Sequence, residues 1–259
     1  MLLFPFRQLV FTTMAICSVV LIPVAQGADF VHVVSTAKSS VVAIAAMDKI
    51  RTPPLSFVGT GFAVGDGLTI ATAAHVVRAL AAAQLDQAMG IAIIKDSATE
   101  FRRATLLRID AEHDLALLRI EGSALPAMAL GDAGAVREGQ SVAFSGFPLG
   151  TLIGLRHVTH RAMVSSITPI VIAAPDANKL DGKTVAQLRK SSFDVFQLDG
   201  TAYPGNSGSP VYDVDTGAAV GVVNMVYVKG LKENAVTNPS GIAYAIPINF
   251  VRDLLARRP

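Results

Sequence analysis

This chain has almost no cysteine: one residue in 259, Cys17. That excludes a disulfide framework and a cysteine-ligated zinc site. Tryptophan is absent, aromatic residues make up 6% and charged residues only 16%. With 51% apolar residues, the fold must be held by packing of aliphatic side chains. The formal net charge of +2 is too small to mark a nucleic-acid partner. No phosphate-cradling loop and no calcium loop occurs, so neither a cofactor nor a metal is expected.

No apolar run is long enough for an ordinary membrane span. The nearest, Leu9 to Ile22, follows Arg7 and leads to Ala25-Gln26-Gly27, a small-x-small cleavage pattern. Residues 1–27 therefore read as a secretory signal peptide, cut before Ala28 or nearby. Cys17 lies inside it, preceded by Ile16, which is too bulky for a lipoprotein signal. A cleaved chain has no thiol, keeps no membrane segment, and works in the periplasm or outside the cell.

Beyond the signal, turn residues separate short strand-like runs. A helix capped by Asp29 carries Phe30, Val33 and Val34 on one face. The runs Ser40–Ala46, Gly59–Val64, Leu68–Ala73, Gly90–Lys95, Arg102–Ile109 and Leu115–Ile120 form a first set, with a helix over Val77–Met89. A linker near Ala124–Glu138 leads to a second set: Ser141–Gly146, Arg156–Ile167, Ile170–Ala173, Phe193–Leu198, Pro210–Asp213, Ala219–Tyr227 and Ile242–Ile246. The final segment, Ile248–Arg258, has helical spacing and a basic end. Such a pattern is an all-β barrel or sandwich.

The candidate chemistry lies in three segments. Gly205-Asn206-Ser207-Gly208-Ser209-Pro210 puts a serine on a glycine-flanked turn, where backbone N–H groups can converge on one point. Ordinary turn composition is the competing account. A hydroxyl needs a base and a group to orient it. In Thr72-Ala73-Ala74-His75-Val76, small residues leave room for an imidazole at the end of a β-like run. In His113-Asp114-Leu115-Ala116, a carboxylate stands at the mouth of an apolar strand, where it needs a partner such as an imidazole N–H. His113 adjoins Asp114, and strand neighbours face opposite sides, so His75 is the better base. His157 and His160 sit on a strand-like run, where their spacing does not suit a shared metal. Both read as structural or surface residues.

Taken together, these segments resemble the trypsin-like serine proteases of the HtrA-like (high-temperature-requirement) branch. The order His75, Asp114, Ser207 is that family's order. Val58-Gly59-Thr60-Gly61-Phe62, Ser141–Gly150, His160–Ser166 and Gly241–Ile248 are similar to its other strands, in register from about Asp29 to the C-terminus. The resemblance implies two six-stranded antiparallel barrels with short N- and C-terminal helices, over residues 28–259. The first barrel would cover about 28–135 and the second about 136–259, with the site in the cleft between them. It implies a serine endopeptidase acting through an acyl-enzyme on protein or peptide substrates, in envelope quality control. A catalytically silent relative that binds unfolded or partner proteins is the alternative. His75, Asp114 and Ser207 would be the triad, and the N–H groups of Gly205 and Ser207 the oxyanion hole. Relatives are often trimers, so a homo-oligomer is open. The sequence offers no room for the PDZ domain such relatives commonly carry.

Two departures bear on control and specificity. Many trypsins have aspartate where Asn206 stands, and use it to bind a newly cut N-terminal ammonium. Asparagine offers no such charge, so switching is expected from the loops Asp199–Pro204, Asp176–Ser192 and Lys229–Ser240. The presumed pocket is formed by Thr201, Val223, Ala243 and Tyr244. Thr201 offers no carboxylate for Lys or Arg, and Val223 no histidine for Glu. Small or medium apolar side chains are therefore expected on the acyl side of the cut.

Overall fold

The computed structural model describes residues 29–48, 50, 52–82, 88–95, 98–150, 154–170, 193–224 and 241–257. Twelve strands close into two barrels with every pairing antiparallel. The first comprises β1 (Val41–Met47), β2 (Leu55–Val64), β3 (Thr69–Ala73), β4 (Ala88–Lys95), β5 (Ala98–Asp110) and β6 (Leu115–Ile120). Its order is β1-β2-β3-β6-β5-β4. The second comprises β7 (Ser141–Gly146), β8 (Val158–Pro169), β9 (Asp194–Leu198), β10 (Pro210–Asp213), β11 (Ala219–Val223) and β12 (Ala243–Pro247). Its order is β10-β11-β12-β9-β8-β7. The expected two-barrel, all-β architecture is the one observed.

Closure leaves no long free sheet edge, and it explains the aliphatic composition. In β1 the residues alternate between two apolar clusters: Val41 and Ala43 join one, Val42 and Ile44 the other. The first cluster runs on through the second barrel to Phe144, Tyr212 and Ile246, so the two barrels share a core. Both faces of β1 and β3 are thus covered, and these strands read as unbroken buried runs.

Among the described residues three α-helices flank the barrels. α1 (Phe30–Ser40) is capped as expected, the Asp29 carboxylate accepting from Val31 N–H at 3.0 Å, and it buries Val33, Ala37 and Ser40. α3 (Asn249–Ala256) buries Val251 and Leu254. Its last carbonyls face Arg108 of β5, and Arg257 reaches Asp110 at 2.8 Å.

The helix read at Val77–Met89 differs from the structure. α2 spans Ala74–Ala82, and Met89 belongs to β4. His75 therefore lies in the first turn of a helix that begins where the β-like run ends. Strand Arg156–Ile167 is observed as Val158–Pro169. Ile170 follows that strand and starts no further one, while 171–173 fall outside the described residues. The proposed signal peptide and the two loops Asp176–Ser192 and Lys229–Ser240 also lie outside, apart from Ser240's successors from Gly241 on.

Candidate active site

Three chain segments meet where the barrels touch. α2 starts directly after β3, and Asp114 in the turn before β6 supplies the missing partners of its first amides. The Asp114 carbonyl accepts from Ala74 N–H at 2.8 Å, and Oδ1 accepts from His75 N–H at 2.9 Å. The first N–H groups of a helix have no partner within it, and negative charge is favoured there. Asp114 adopts φ +53°, a left-handed conformation that aspartate tolerates better than most residues. This turn aims the carboxylate inward.

The same carboxylate receives the His75 ring, with Nδ1 2.5 Å from Oδ2. Nδ1 is the donor in this pair, which leaves Nε2 free to accept a proton. Asn224, just past β11, donates its amide to Oδ2 at 2.9 Å, and Arg78 donates to Oδ1 at 2.5 Å. Asp114 is buried, as a carboxylate with this many donors can be.

Ser207 arrives from the second barrel on two consecutive tight turns. Asn206 N–H donates to Tyr203 O and Ser209 N–H to Asn206 O, both at 2.9 Å. Gly205 takes φ +101° and Gly208 +86°. A Cβ on Gly208 would sit 2.1 Å from the Thr60 carbonyl, and one on Gly205 2.3 Å from the Phe147 carbonyl. Glycine is required at both positions by conformation and by contact. Gly208 also lies against Thr72 and Ala73, which lead into α2, so the serine turn abuts the segment carrying His75. Among the described residues no hydrogen bond joins the Ser207 hydroxyl to the imidazole. Such bonds commonly tighten only once substrate is bound.

The backbone N–H groups of Gly205 and Ser207 have no acceptor among the described residues. The peptide joining Pro204 to Gly205 is oriented by Leu149, whose N–H donates to Pro204 O at 2.7 Å. In a trans peptide this turns the Gly205 N–H to the other side. The arrangement can accept an anionic oxygen beside the serine.

Thr60 ties this turn to the first barrel. Its N–H donates to Ser207 O at 2.9 Å and its hydroxyl to Gly205 O at 2.7 Å, while that hydroxyl accepts from Phe147 N–H at 3.1 Å. Thr60 lies in the family-like strand quoted above with no task evident from sequence, and neither Arg78 nor Asn224 stands out there as a partner of Asp114. The glycines on both sides of Thr60 were the available signal, since a Cβ on Gly59 would lie 3.1 Å from Ser207 O.

The presumed pocket residues lie on neighbouring elements. Val223 and Ala243 are fully buried at the ends of β11 and β12, and Thr201 and Tyr244 are half-buried. Asn206 is buried, and neither its amide nitrogen nor its oxygen has a partner among the described residues. His113 lies in a turn rather than on a strand, and pairs with Asp110 at 3.0 Å while stacking on Phe250. Its ring is engaged by these two residues, and strand alternation does not apply to it. His157 precedes β8, so alternation does not govern it either. Its Nε2 donates to Val41 O at 2.9 Å, bridging the barrels. His160 stacks on Phe144. Burial holds both rings below the ordinary histidine range, in His157 partly offset by the Val41 carbonyl.

Two closed six-stranded barrels with a serine turn, an imidazole and a carboxylate at their junction define the chymotrypsin-like class of scaffold. The trypsin-like peptidase domain family matches residues 59–222, and the chain belongs to that family. It is 30% identical over 199 residues to serine protease HTRA2, mitochondrial, of Drosophila pseudoobscura pseudoobscura, covering 77% of this chain and 38% of that protein. To serine protease HTRA4 of Homo sapiens it is 29% identical over 201 residues, covering 77% and 34%. The chain thus spans little more than a third of the length of these curated relatives. Among solved structures, the HtrA-type protease AlgW with tripeptide superposes with a TM-score of 0.60 at 22% identity, over 88% of this chain and 62% of that one. Deg5 gives 0.61 at 24% identity, over 86% and 90%. The HtrA-like resemblance read from the motifs is borne out by these relatives.

Proposed function

We propose that this chain is a serine endopeptidase that cuts protein substrates through an acyl-enzyme. The observation that carries the reading is the pairing of buried Asp114 with His75 beside a serine turn whose Gly205 and Ser207 N–H groups have no acceptor among the described residues. His75 Nε2 takes the Ser207 proton as the hydroxyl attacks the scissile carbonyl. Asp114 holds the ring in the required tautomer and stabilises the imidazolium, and the two N–H groups receive the oxyanion. His75 then protonates the leaving amine, and water releases the acyl group by the reverse sequence.

The signal-like residues 1–27 support action in the periplasm or outside the cell, in protein quality control of the envelope. The absence of charge at Thr201 and of histidine at Val223 supports cleavage after small or medium apolar side chains. Asn206, uncharged, supports a switch other than an N-terminal ammonium. The test is digestion of denatured casein and of a peptide library by the chain lacking residues 1–27, beside Ser207→Ala. Cleavage after Ala, Val or similar residues, lost in the variant, is expected. Cleavage after Lys, Arg or Glu contradicts the specificity, and binding of denatured casein without cleavage favours a silent, protein-binding relative.

A further inference from the structure

We propose that Arg78 is a positioning residue that acts through Asp114 to restrain turnover. The inference rests on the protease reading above. Arg78 stands three residues after His75 in α2, on the same side of the helix. It places Nη2 2.5 Å from Asp114 Oδ1, with its side chain 50% exposed against 8% for Asp114. One carboxylate therefore serves two side-chain donors, a guanidinium on Oδ1 and the imidazole on Oδ2.

Orientation of the carboxylate does not depend on Arg78. His75 N–H holds Oδ1, the Asn224 amide holds Oδ2, and the Asp114 carbonyl is fixed by Ala74 N–H. These donors come from α2 and from the end of β11, and they fix the group on both oxygens. What Arg78 adds is charge.

The charge acts at one moment in the reaction. A guanidinium is cationic at every pH at which a protein stays folded. While His75 is neutral, that cation costs the ring little. Once the imidazole has taken the Ser207 proton, the ring is positive, and the anion that should stabilise it is already shared with Arg78. The guanidinium thus opposes the transition state without opposing the ground state, which lowers kcat and leaves KM alone. For two like charges bridged by one carboxylate, and discounted for the solvent exposure of Arg78, the restraint amounts to roughly threefold to tenfold in kcat.

The experiment compares wild type, Arg78→Gln, Arg78→Ala, Arg78→Lys and Ser207→Ala, each as the chain from residue 28 onward. The readouts are kcat and KM on succinyl-Ala-Ala-Ala p-nitroanilide, with a thermal melt for each protein. Arg78→Gln and Arg78→Ala should raise kcat about threefold to tenfold with KM within about twofold. Arg78→Lys keeps the charge and should keep kcat close to wild type. A purely structural Arg78 would instead give lower kcat and a lower melting temperature in the two neutral variants. Equal or lower kcat in either neutral variant that melts like wild type overturns the proposal, as does an equal rise in Arg78→Lys. Wild-type turnover no higher than that of Ser207→Ala overturns the protease reading itself, and this inference with it.

Discussion

Replacing Thr60 by valine removes one hydroxyl and almost no volume. In the wild-type chain that hydroxyl is fully buried, donates to Gly205 O and accepts from Phe147 N–H. Valine leaves both backbone groups without that partner, Phe147 N–H in a buried setting and Gly205 O in a part-buried one. A buried group stranded in this way costs about 1–3 kcal/mol, so the pair should cost about 2–4 kcal/mol. For a domain of this size that lowers Tm by roughly 4–16 °C. The catalytic consequence is separate. Gly205 carries an N–H group that the proposed mechanism turns toward the oxyanion, and its carbonyl is the atom that the Thr60 hydroxyl holds. Losing a whole oxyanion donor costs about a hundredfold or more, so loosening one should lower kcat by about tenfold. KM should change little. Thermal melts and steady-state hydrolysis of an apolar peptide anilide measure both effects, with Thr60→Ser as the variant that keeps the hydroxyl. Thr60→Val with unchanged Tm and unchanged kcat would refute the reasoning.

Asp114→Asn keeps an acceptor for His75 N–H but can no longer favour the Nδ1–H tautomer, so kcat should fall about four orders of magnitude. Retention of a tenth of wild-type turnover would count against the His75–Asp114 pairing as the working couple. Gly205→Ala forces a Cβ to within 2.3 Å of Phe147 O at φ +101° and should abolish hydrolysis while the barrels still fold, as far-ultraviolet circular dichroism would report. His157 and His160 are held toward the neutral form by burial. Unfolded, they take up protons near pH 6.5; folded, only at lower pH. The unfolded chain therefore binds more protons in that window, and stability is full above about pH 6.5 and lost as pH falls toward the folded values. His160→Leu should lose less Tm than wild type between pH 7.5 and 5; identical losses would show that this ring is not buried neutral.

Most of the strand set was readable because barrel closure buries both faces of many strands, leaving unbroken aliphatic runs between glycine turns. The limits of α2 were not readable, for a physical reason. No Ser, Thr, Asp or Asn immediately precedes Ala74, because the capping groups come from Asp114, about forty residues further on. Still greater separations in sequence hid the roles of Asn224 and Thr60, whose partners each lie in the other barrel. His113 was set aside by strand alternation, yet it sits in a turn and its ring is held by Asp110 and Phe250. The local signals for the three proposed triad residues differ: His75 and Ser207 stand beside small residues or glycines, while Asp114 stands at the mouth of the apolar run Leu115–Ile120.

The central claim is that Ser207 is a nucleophile activated by His75. A fluorophosphonate probe reacts only with such a serine, and mass spectrometry of the digested adduct locates it. The account predicts one adduct, on the peptide carrying Ser207, absent in Ser207→Ala and strongly slowed in His75→Ala. No adduct on the folded wild-type chain, or an equal adduct in Ser207→Ala, would contradict it.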